Sequence, residues 1–468
     1  RKNRRGDYYG PIGSLIRWSL KSDRSFSRGV QAFMAYSFYI LPSLSEAQKE
    51  KFLSAINADP SDGLDSRFHR EFKDTVRKVI GLHFVKSKPN PLVTYSGSPG
   101  KRAPRLWKQP SVPQNVRILD ELQIFNTSAG MSLYQKYRPI YEPLLKGIAD
   151  RKTFLNSLPE RDNEFWHKNP PEPVMGGQIH FIQEPGGKLR SVASPYRIHQ
   201  EALRPLGKLV YEIVNRLPWD CTFDQSKAQP YIQSHLERGG EVHSIDLSSA
   251  TDLFPLSIQM DVLRTVVDQQ HQLDVSLFEE ISRGKWDSIL GVLQWKKGQP
   301  LGLYPSFGTF TLTHGLLLLH LAGGKYNHQF FVLGDDVVIL EQKLKDDYTT
   351  MLDRMHCPWS RDKSLSSCTL CEFAGKIYTS TKVIPQLKWR KVSDDNFLDI
   401  ARLLGHKSRC LFSKRQRAVF DEVAHLCNPI GLNFSLPGDN LQKMVERTLH
   451  AYHPEEVVLA SLMDLRRR

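Results

Sequence analysis

The sequence predicts an α+β fold, with an antiparallel sheet flanked by helices, and three observations predict it. In Phe331-Val332-Leu333-Gly334-Asp335-Asp336-Val337-Val338-Ile339-Leu340 two short apolar, β-branched runs flank a turn, so residues 330–333 and 337–340 read as the buried strands of a hairpin. Residues 242–247 alternate, with Val242, Ser244 and Asp246 on one face and His243, Ile245 and Leu247 on the other. Segments of helical length and pattern surround these strands at 200–217, 255–270, 346–355, 396–406 and 415–426.

In chain order, helical signals dominate the first part, including 30–41, an apolar stretch shorter than the roughly 20 residues a membrane span needs. Residues 87–113, rich in Pro, Gly, Ser and basic side chains, read as a loop or a nucleic-acid-contacting segment, and 170–177 as a linker. Next, 179–183 and 188–193 read as strands around the tight turn Glu184-Pro185-Gly186-Gly187. Lys188 and Arg190 are two apart and share a face. Two cations there suit a polyanion such as a triphosphate, or serve as the charges that keep a sheet edge from aggregating.

Asp246 ends its predicted strand, where a side chain can project into a cleft. Asp252 follows a Ser-Ser-Ala-Thr turn near a helix start. Each also fits a capping role taken singly. In Lys297–Gly308 the glycines at 298, 302 and 308 permit close approach of backbone to a ligand, or form an ordinary loop before the buried helix 309–321. Asp335 and Asp336 repel each other at the hairpin tip unless a cation neutralises them. Mg²⁺ or Mn²⁺ would suit such hard oxygen ligands. A Gly-Asp-Asp triplet arises by chance in roughly one chain of this length in ten, so its company has to decide its meaning.

At 468 residues the chain exceeds the roughly 250–300 at which one core stops growing, so several subdomains are expected. Lys and Arg number 64 against 50 Asp and Glu; the net charge of +14 favours a polyanionic partner. The basic clusters 1–5 and 466–468 are expected to be mobile or loosely electrostatic. The chain opens on Arg, and is expected to be a piece of a longer protein or a trimmed one. Six cysteines form no disulfide scaffold, and no signal-like start is present, which points to a reducing compartment. Cys368-Thr369-Leu370-Cys371 is a lone CxxC; buried thiols are expected there ahead of a structural zinc.

Lys188/Arg190, Asp246/Asp252, the 298–306 loop and Asp335/Asp336 follow one another in an order that resembles viral RNA-dependent RNA polymerases, closest to the narnavirus, mitovirus and ourmiavirus group, distant relatives of RNA-phage replicases. The wording of Phe181-Ile182-Gln183-Glu184-Pro185-Gly186-Gly187-Lys188-Leu189-Arg190, Thr222-Phe223-Asp224-Gln225, Asp246-Leu247-Ser248-Ser249-Ala250-Thr251-Asp252 and Gly298-Gln299-Pro300-Leu301-Gly302 is similar to that group's motifs. Lys363 within 360–364, and Glu372-Phe373-Ala374-Gly375-Lys376, resemble the motifs after Gly-Asp-Asp. The resemblance covers about residues 176–380.

It implies a closed right-hand polymerase with an antiparallel palm sheet, fingers and a helical thumb. The divisions would be 1–175 (N-terminal region and part of the fingers), 176–245 (fingers with the triphosphate hairpin), 246–390 (palm) and 391–468 (thumb). The implied reaction adds ribonucleotides to a 3′-OH on an RNA template, replicating a positive-strand viral RNA genome from ribonucleoside triphosphates, with no membrane span. Two Mg²⁺, replaceable by Mn²⁺, would sit roughly 3.5–4 Å apart on Asp246, Asp335 and Asp336. Lys188 and Arg190 would grip the triphosphate, and Asp252 would read the ribose 2′-OH. Lys363 is either the general acid for pyrophosphate or a plain surface lysine. No Asn stands at the helix position many RNA polymerases use near the ribose; the resemblance implies that Thr313 or Ser306 would take that role instead. His314-Gly315 replaces the His pair expected of mitoviruses. The expected compartment is the host cytoplasm, with the mitochondrion as alternative. Two rivals are a reverse transcriptase or DNA polymerase, and a non-catalytic RNA-binding protein with a polymerase shell. Gly334 before the Asp pair and an Asp at 252 in place of a bulky aromatic favour ribonucleotides over the first.

Overall fold

A computed structural model describes residues 10–86, 176–195, 197–386, 392–394 and 396–467. The expectations for 1–5, 87–113, 170–175 and Arg468 lie outside the described residues. The chain forms two compact units. The larger comprises Ser43–Ile182 and Leu189–Lys382, and the smaller Arg1–Pro42, Gln183–Lys188 and Val383–Arg468.

The larger unit mixes helices with antiparallel sheet. Strands β1 (Gly177–Glu184) and β2 (Lys188–Pro195) form a hairpin whose body lies in this unit. β3 (Val242–Asp246), β4 (Phe330–Leu333), β5 (Asp336–Ile339) and β6 (Leu365–Ser367) make a four-stranded sheet in the order β4-β5-β3-β6. β5 pairs antiparallel with both β4 and β3, and β3 with β6. β7 (Leu370–Phe373) and β8 (Lys376–Thr379) form a further antiparallel hairpin. Ser244 ties it to β3: its hydroxyl donates to the Glu372 carbonyl (2.6 Å) and accepts the Glu372 N–H (3.2 Å).

One helix, Ser306–Leu321, organises the core. Ser306 and every residue from Gly308 to Leu319 is buried, as in a helix enclosed on all sides. Helix Arg197–Val214 packs along it, with Val210 and Tyr211 against Gly308. Helix Leu256–Val266 contributes Leu256, Ile258, Met260, Val262, Leu263 and Val266 to the same core. The N-terminal helices Glu46–Ile56 and Ser66–Val79 are started by the Ser45 capping box and the Asp65 cap. They attach through buried Phe68, Phe72 and Val76, and through His69, which reaches Asp261 at 2.6 Å. Among the described residues no helix is long and apolar enough to cross a membrane.

The smaller unit is mainly helical after the short strand β9 (Val383–Pro385). Helices Phe397–Leu404 and Lys414–Val423 enclose Phe397, Ile400, Phe412, Phe420 and Leu432. Helices Leu441–Ala451 and Pro454–Arg467 follow. Gln31, from helix Asp23–Phe33, donates to the Pro385 carbonyl at 2.7 Å. The stretch expected as one helix over 30–41 ends its α-helix at Phe33 and continues as a 3₁₀ turn, Met34–Phe38.

Candidate active site

The two-residue turn Gly334-Asp335 joins β4 to β5, and its backbone is positive in φ (61°) at Gly334 and not at Asp335. A positive φ at the first central residue alone is the pattern of a II′ hairpin turn, which calls for glycine there. The Gly334 site is also closed by Phe307, since a Cβ would stand 2.7 Å from its ring. Asp336 is therefore the first residue of β5 and sits in the ladder, one position earlier than the predicted strand. Across the ladder it pairs with Asp246, the last residue of β3. Directly opposed residues share a face with Cβ atoms roughly 4.5–5.5 Å apart, so the register brings these two carboxylates together. Asp335 is exposed in the adjoining turn.

Like charges opposed on a sheet are unfavourable without a counter-charge. Lys363 supplies one, with Nζ 3.4 Å from Asp246 Oδ2. Backbone bonds put it there. Ser360 N–H donates to the Asp246 carbonyl (2.8 Å), and Asp246 N–H donates to Ser364 Oγ (3.1 Å), so both ends of the turn carrying Lys363 are pinned to Asp246. Among the described residues no three His, Cys, Asp or Glu side chains are grouped so that they could hold a metal ion, and Asp335 is not gathered with Asp246 and Asp336. The opposed pair Asp246/Asp336 sets two hard oxygen donors together at the end of the sheet.

Asp252 lies in the short helix Ala250–Leu253, capped by Ser249 in the left-handed region, so Asp252 is not itself the cap. Its Oδ1 accepts the indole N–H of buried Trp295 at 2.8 Å. Burial raises the Asp252 carboxyl to about 6, and the indole bond offsets part of that rise. The 298–306 loop is laid directly on this helix: Gly298 N–H donates to the Asp252 carbonyl and Gln299 N–H to that of Thr251. A Cβ on Gly298 would meet the Thr251 carbonyl oxygen at 2.2 Å, which explains the glycine. The far side of the loop is held by β2, through Ala193 N–H to the Leu301 carbonyl (2.7 Å), and by Gln200, which bonds both Gly302 and Tyr304.

Ser306 and Thr313 are fully enclosed. Ser306 Oγ donates to the Pro300 carbonyl, and Thr313 Oγ1 donates to Thr309 within its own helix. Neither hydrogen-bonds to Asp252, whose partner is Trp295. Arg190 is half-buried on β2 in the larger unit; Lys188 is exposed and belongs to the smaller one. Of the CxxC pair, Cys371 is buried, with its thiol pushed up to about 12, while Cys368 is exposed. Sequence reading missed Trp295, which lies 43 positions from its partner with no local signal. It also assigned no role to His314, although an imidazole inside an apolar helix has to find partners. It finds two, the Gly334 carbonyl and Tyr348.

The family model for the mitovirus RNA-dependent RNA polymerase matches residues 90–401, two-thirds of the chain. The chain belongs to the mitovirus RNA-dependent RNA polymerase family. It is 29% identical to the RNA-directed RNA polymerase of Cryphonectria parasitica mitovirus 1 over 210 residues, 44% of this chain and 26% of that protein. The match thus spans about a quarter of the mitovirus polymerase. Two uncharacterized mitochondrial proteins of Arabidopsis thaliana match at 28% identity (42% of this chain, 82% of theirs) and 34% identity (32% and 76%). Among solved structures, an insertion-loop deletion mutant of a human picobirnavirus RNA-dependent RNA polymerase overlays this family member with a TM-score of 0.46 at 13% identity, covering 95% of this chain and 82% of that one.

Proposed function

We propose that this chain carries out template-directed RNA synthesis, adding ribonucleotides to a nascent 3′-OH with release of pyrophosphate, in replication of a positive-strand viral RNA genome. The observation that carries the reading is the cross-strand opposition of Asp246 and Asp336 beside the Gly334-Asp335 turn, with Lys363 on Asp246. Membership of the polymerase family supports it. In this reading the larger unit holds the palm and part of the fingers of a right hand, and the helices after Phe397 form the thumb, with divisions near 175, 245 and 390.

Asp246, Asp335 and Asp336 would hold two Mg²⁺, which when bound activate the attacking hydroxyl and neutralise phosphate charge. Arg190 and Lys188 would bind the triphosphate, the guanidinium in a bidentate way. Asp252 would accept a hydrogen bond from the ribose 2′-OH, held in aim by Trp295. Lys363 would deliver a proton from Nζ to the leaving pyrophosphate. Sequence readout would rest with base pairing, so protein contacts to the RNA would be to its backbone. The family, and the names of the two plant relatives, favour the mitochondrion over the cytoplasm as compartment.

The test is incorporation of labelled NTPs on a defined RNA template with Mg²⁺, beside Asp335→Ala and with dNTPs in parallel. Template-dependent NTP incorporation lost in the variant is the expected result. Preference for dNTPs would establish the reverse-transcriptase reading instead, and RNA binding without incorporation would establish a non-catalytic shell.

A further inference from the structure

We propose that His314 is a positioning residue that selects the orientation of the Gly334–Asp335 peptide, and that Tyr348 completes it by donating to the other ring nitrogen. His314 sits in the middle of the buried helix Ser306–Leu321 with no exposed surface. Its Nδ1 is 2.8 Å from the Gly334 carbonyl oxygen, and its Nε2 is 2.6 Å from the Tyr348 hydroxyl. A carbonyl can only accept, so Nδ1 carries the proton. Burial pushes the ring's pKa down to about 4, so the imidazole is neutral and has only that one N–H. Nε2 therefore accepts, and Tyr348 donates to it. Tyr348 is itself fully buried on helix Gln342–Arg354. A proton on Nε2 instead would leave Nδ1 pointing a lone pair at the Gly334 oxygen, with two buried acceptors facing each other.

The Gly334 carbonyl belongs to the central peptide of the hairpin turn. Types I′ and II′ differ in the φ of the second central residue, positive in I′ only, and turning that peptide over interconverts them. Aspartate tolerates positive φ better than most residues, so both turns are open to Gly-Asp. The structure holds the form with positive φ at Gly334 only. One N–H on its carbonyl holds that peptide in place, at a residue where Phe307 leaves no room for a Cβ. The orientation of Asp335 follows from that peptide, so the inference rests on the metal-binding role proposed for Asp335.

Three variants separate the parts. His314→Leu removes both bonds, Tyr348→Phe removes only the donor to Nε2, and His314→Asn keeps an amide N–H where Nδ1 stood. Mn²⁺ affinity of the free protein, kcat and KM for NTP, and the histidine ¹⁵N tautomer signature are measured for each, with melting curves to confirm folding. Loss of a partner that orients a ligand group typically costs about 10–100-fold in metal affinity or activity. Loss on that scale in Mn²⁺ affinity and kcat is expected for His314→Leu, at little change in KM. His314→Asn should recover most of it. Tyr348→Phe should keep the Nδ1–H signature, because the Gly334 carbonyl still takes that proton. A folded His314→Leu with wild-type Mn²⁺ affinity, a His314→Asn no better than His314→Leu, or a proton found on Nε2 in Tyr348→Phe would each overturn the proposal. Asp335→Ala is the control for the reading beneath it. Unaltered Mn²⁺ affinity in that variant removes the metal role, and the tautomer measurement then still decides whether His314 donates to the turn.

Discussion

Trp295 donates its indole N–H to Asp252 Oδ1 across 2.8 Å, and this bond opposes the rise in pKa that burial imposes on the carboxyl. A site built to hydrogen-bond a hydroxyl rejects the analogue lacking it more strongly than an apolar pocket can. Asp252 accepts far more strongly as the carboxylate, which forms above about pH 6. Preference for NTP over dNTP should therefore be full above that pH and fade as the pH falls through it. Trp295→Phe, which removes the bond that lowers the pKa, should move the midpoint upward, and Asp252→Ala should erode the preference at every pH. The kcat/KM ratio for the two sugars from pH 5 to 8 checks this. Should Asp252→Ala lose all but a trace of incorporation yet keep its sugar preference, Asp252 is structural.

The same burial has a stability consequence of opposite direction. The folded pKa of Asp252 is raised from 3.8 to about 6, so the folded protein holds this proton more tightly than the unfolded chain. The contribution to stability falls as pH rises from about 4 to about 6, and is flat above. Asp252→Asn should remove that slope from the denaturant midpoint measured against pH.

Lys363 meets Asp246 at 3.4 Å, yet its side chain is 72% exposed. An exposed ion pair contributes roughly 0–1 kcal/mol, so Lys363→Ala should leave the melting transition almost unmoved. As a general acid the same residue would be worth about 10²–10⁴ in rate. A fall in kcat of that order without loss of stability is expected, and Lys363→Arg should not restore it. A kcat within a few-fold of wild type would make Lys363 an ordinary surface lysine.

Gly298→Ala should damage both stability and activity. The added methyl would lie 2.2 Å from the Thr251 oxygen and 2.5 Å from Asp252 backbone atoms, which cannot swing aside as a side chain can. Overpacking of this kind costs typically about 1–3 kcal/mol. Denaturant unfolding should show that loss, and sugar discrimination should weaken with it because the Asp252 helix is displaced.

In the smaller unit Asp439 accepts both terminal nitrogens of Arg447, at 2.7 and 3.1 Å. The Arg447 pair and the Leu436 N–H hold the Asp439 carboxyl down at about 2. Its stabilisation is present above the ordinary carboxylate pKa and is lost as pH falls through about 2. Asp439→Asn should lower the melting temperature at pH 7, and the gap to wild type should close towards pH 2.

Much of the frame was legible because periodicity reports burial. The strand Phe330–Leu333, the alternation ending at Asp246 and the helix leading to Leu321 stand where the pattern put them. Asp336 was misplaced by one position because cross-strand pairing with Asp246 draws it into the ladder, and pairing is not a local property. β6, β7, β8 and β9 went unread: runs of three or four residues containing Ser, Cys, Lys and Pro carry no usable period. Trp295 and Tyr348 were invisible as site residues for the same reason, since each acts on a group far away in sequence.

The joints around Asp246 and Asp252 are made largely of main chain: Gly298 to Asp252, Gln299 to Thr251, Ala193 to Leu301 and Ser360 to Asp246. A main-chain bond is indifferent to which side chain its residue carries. Such joints can be lost only to a proline, which has no N–H to give, or to a methyl where glycine alone fits. Two chains can therefore share such a scaffold while agreeing at fewer than a third of aligned positions; this chain and the Cryphonectria mitovirus polymerase agree at 29% over 210 residues. The inheritance of such a scaffold is better read from where proline and bulk are forbidden than from which letters recur.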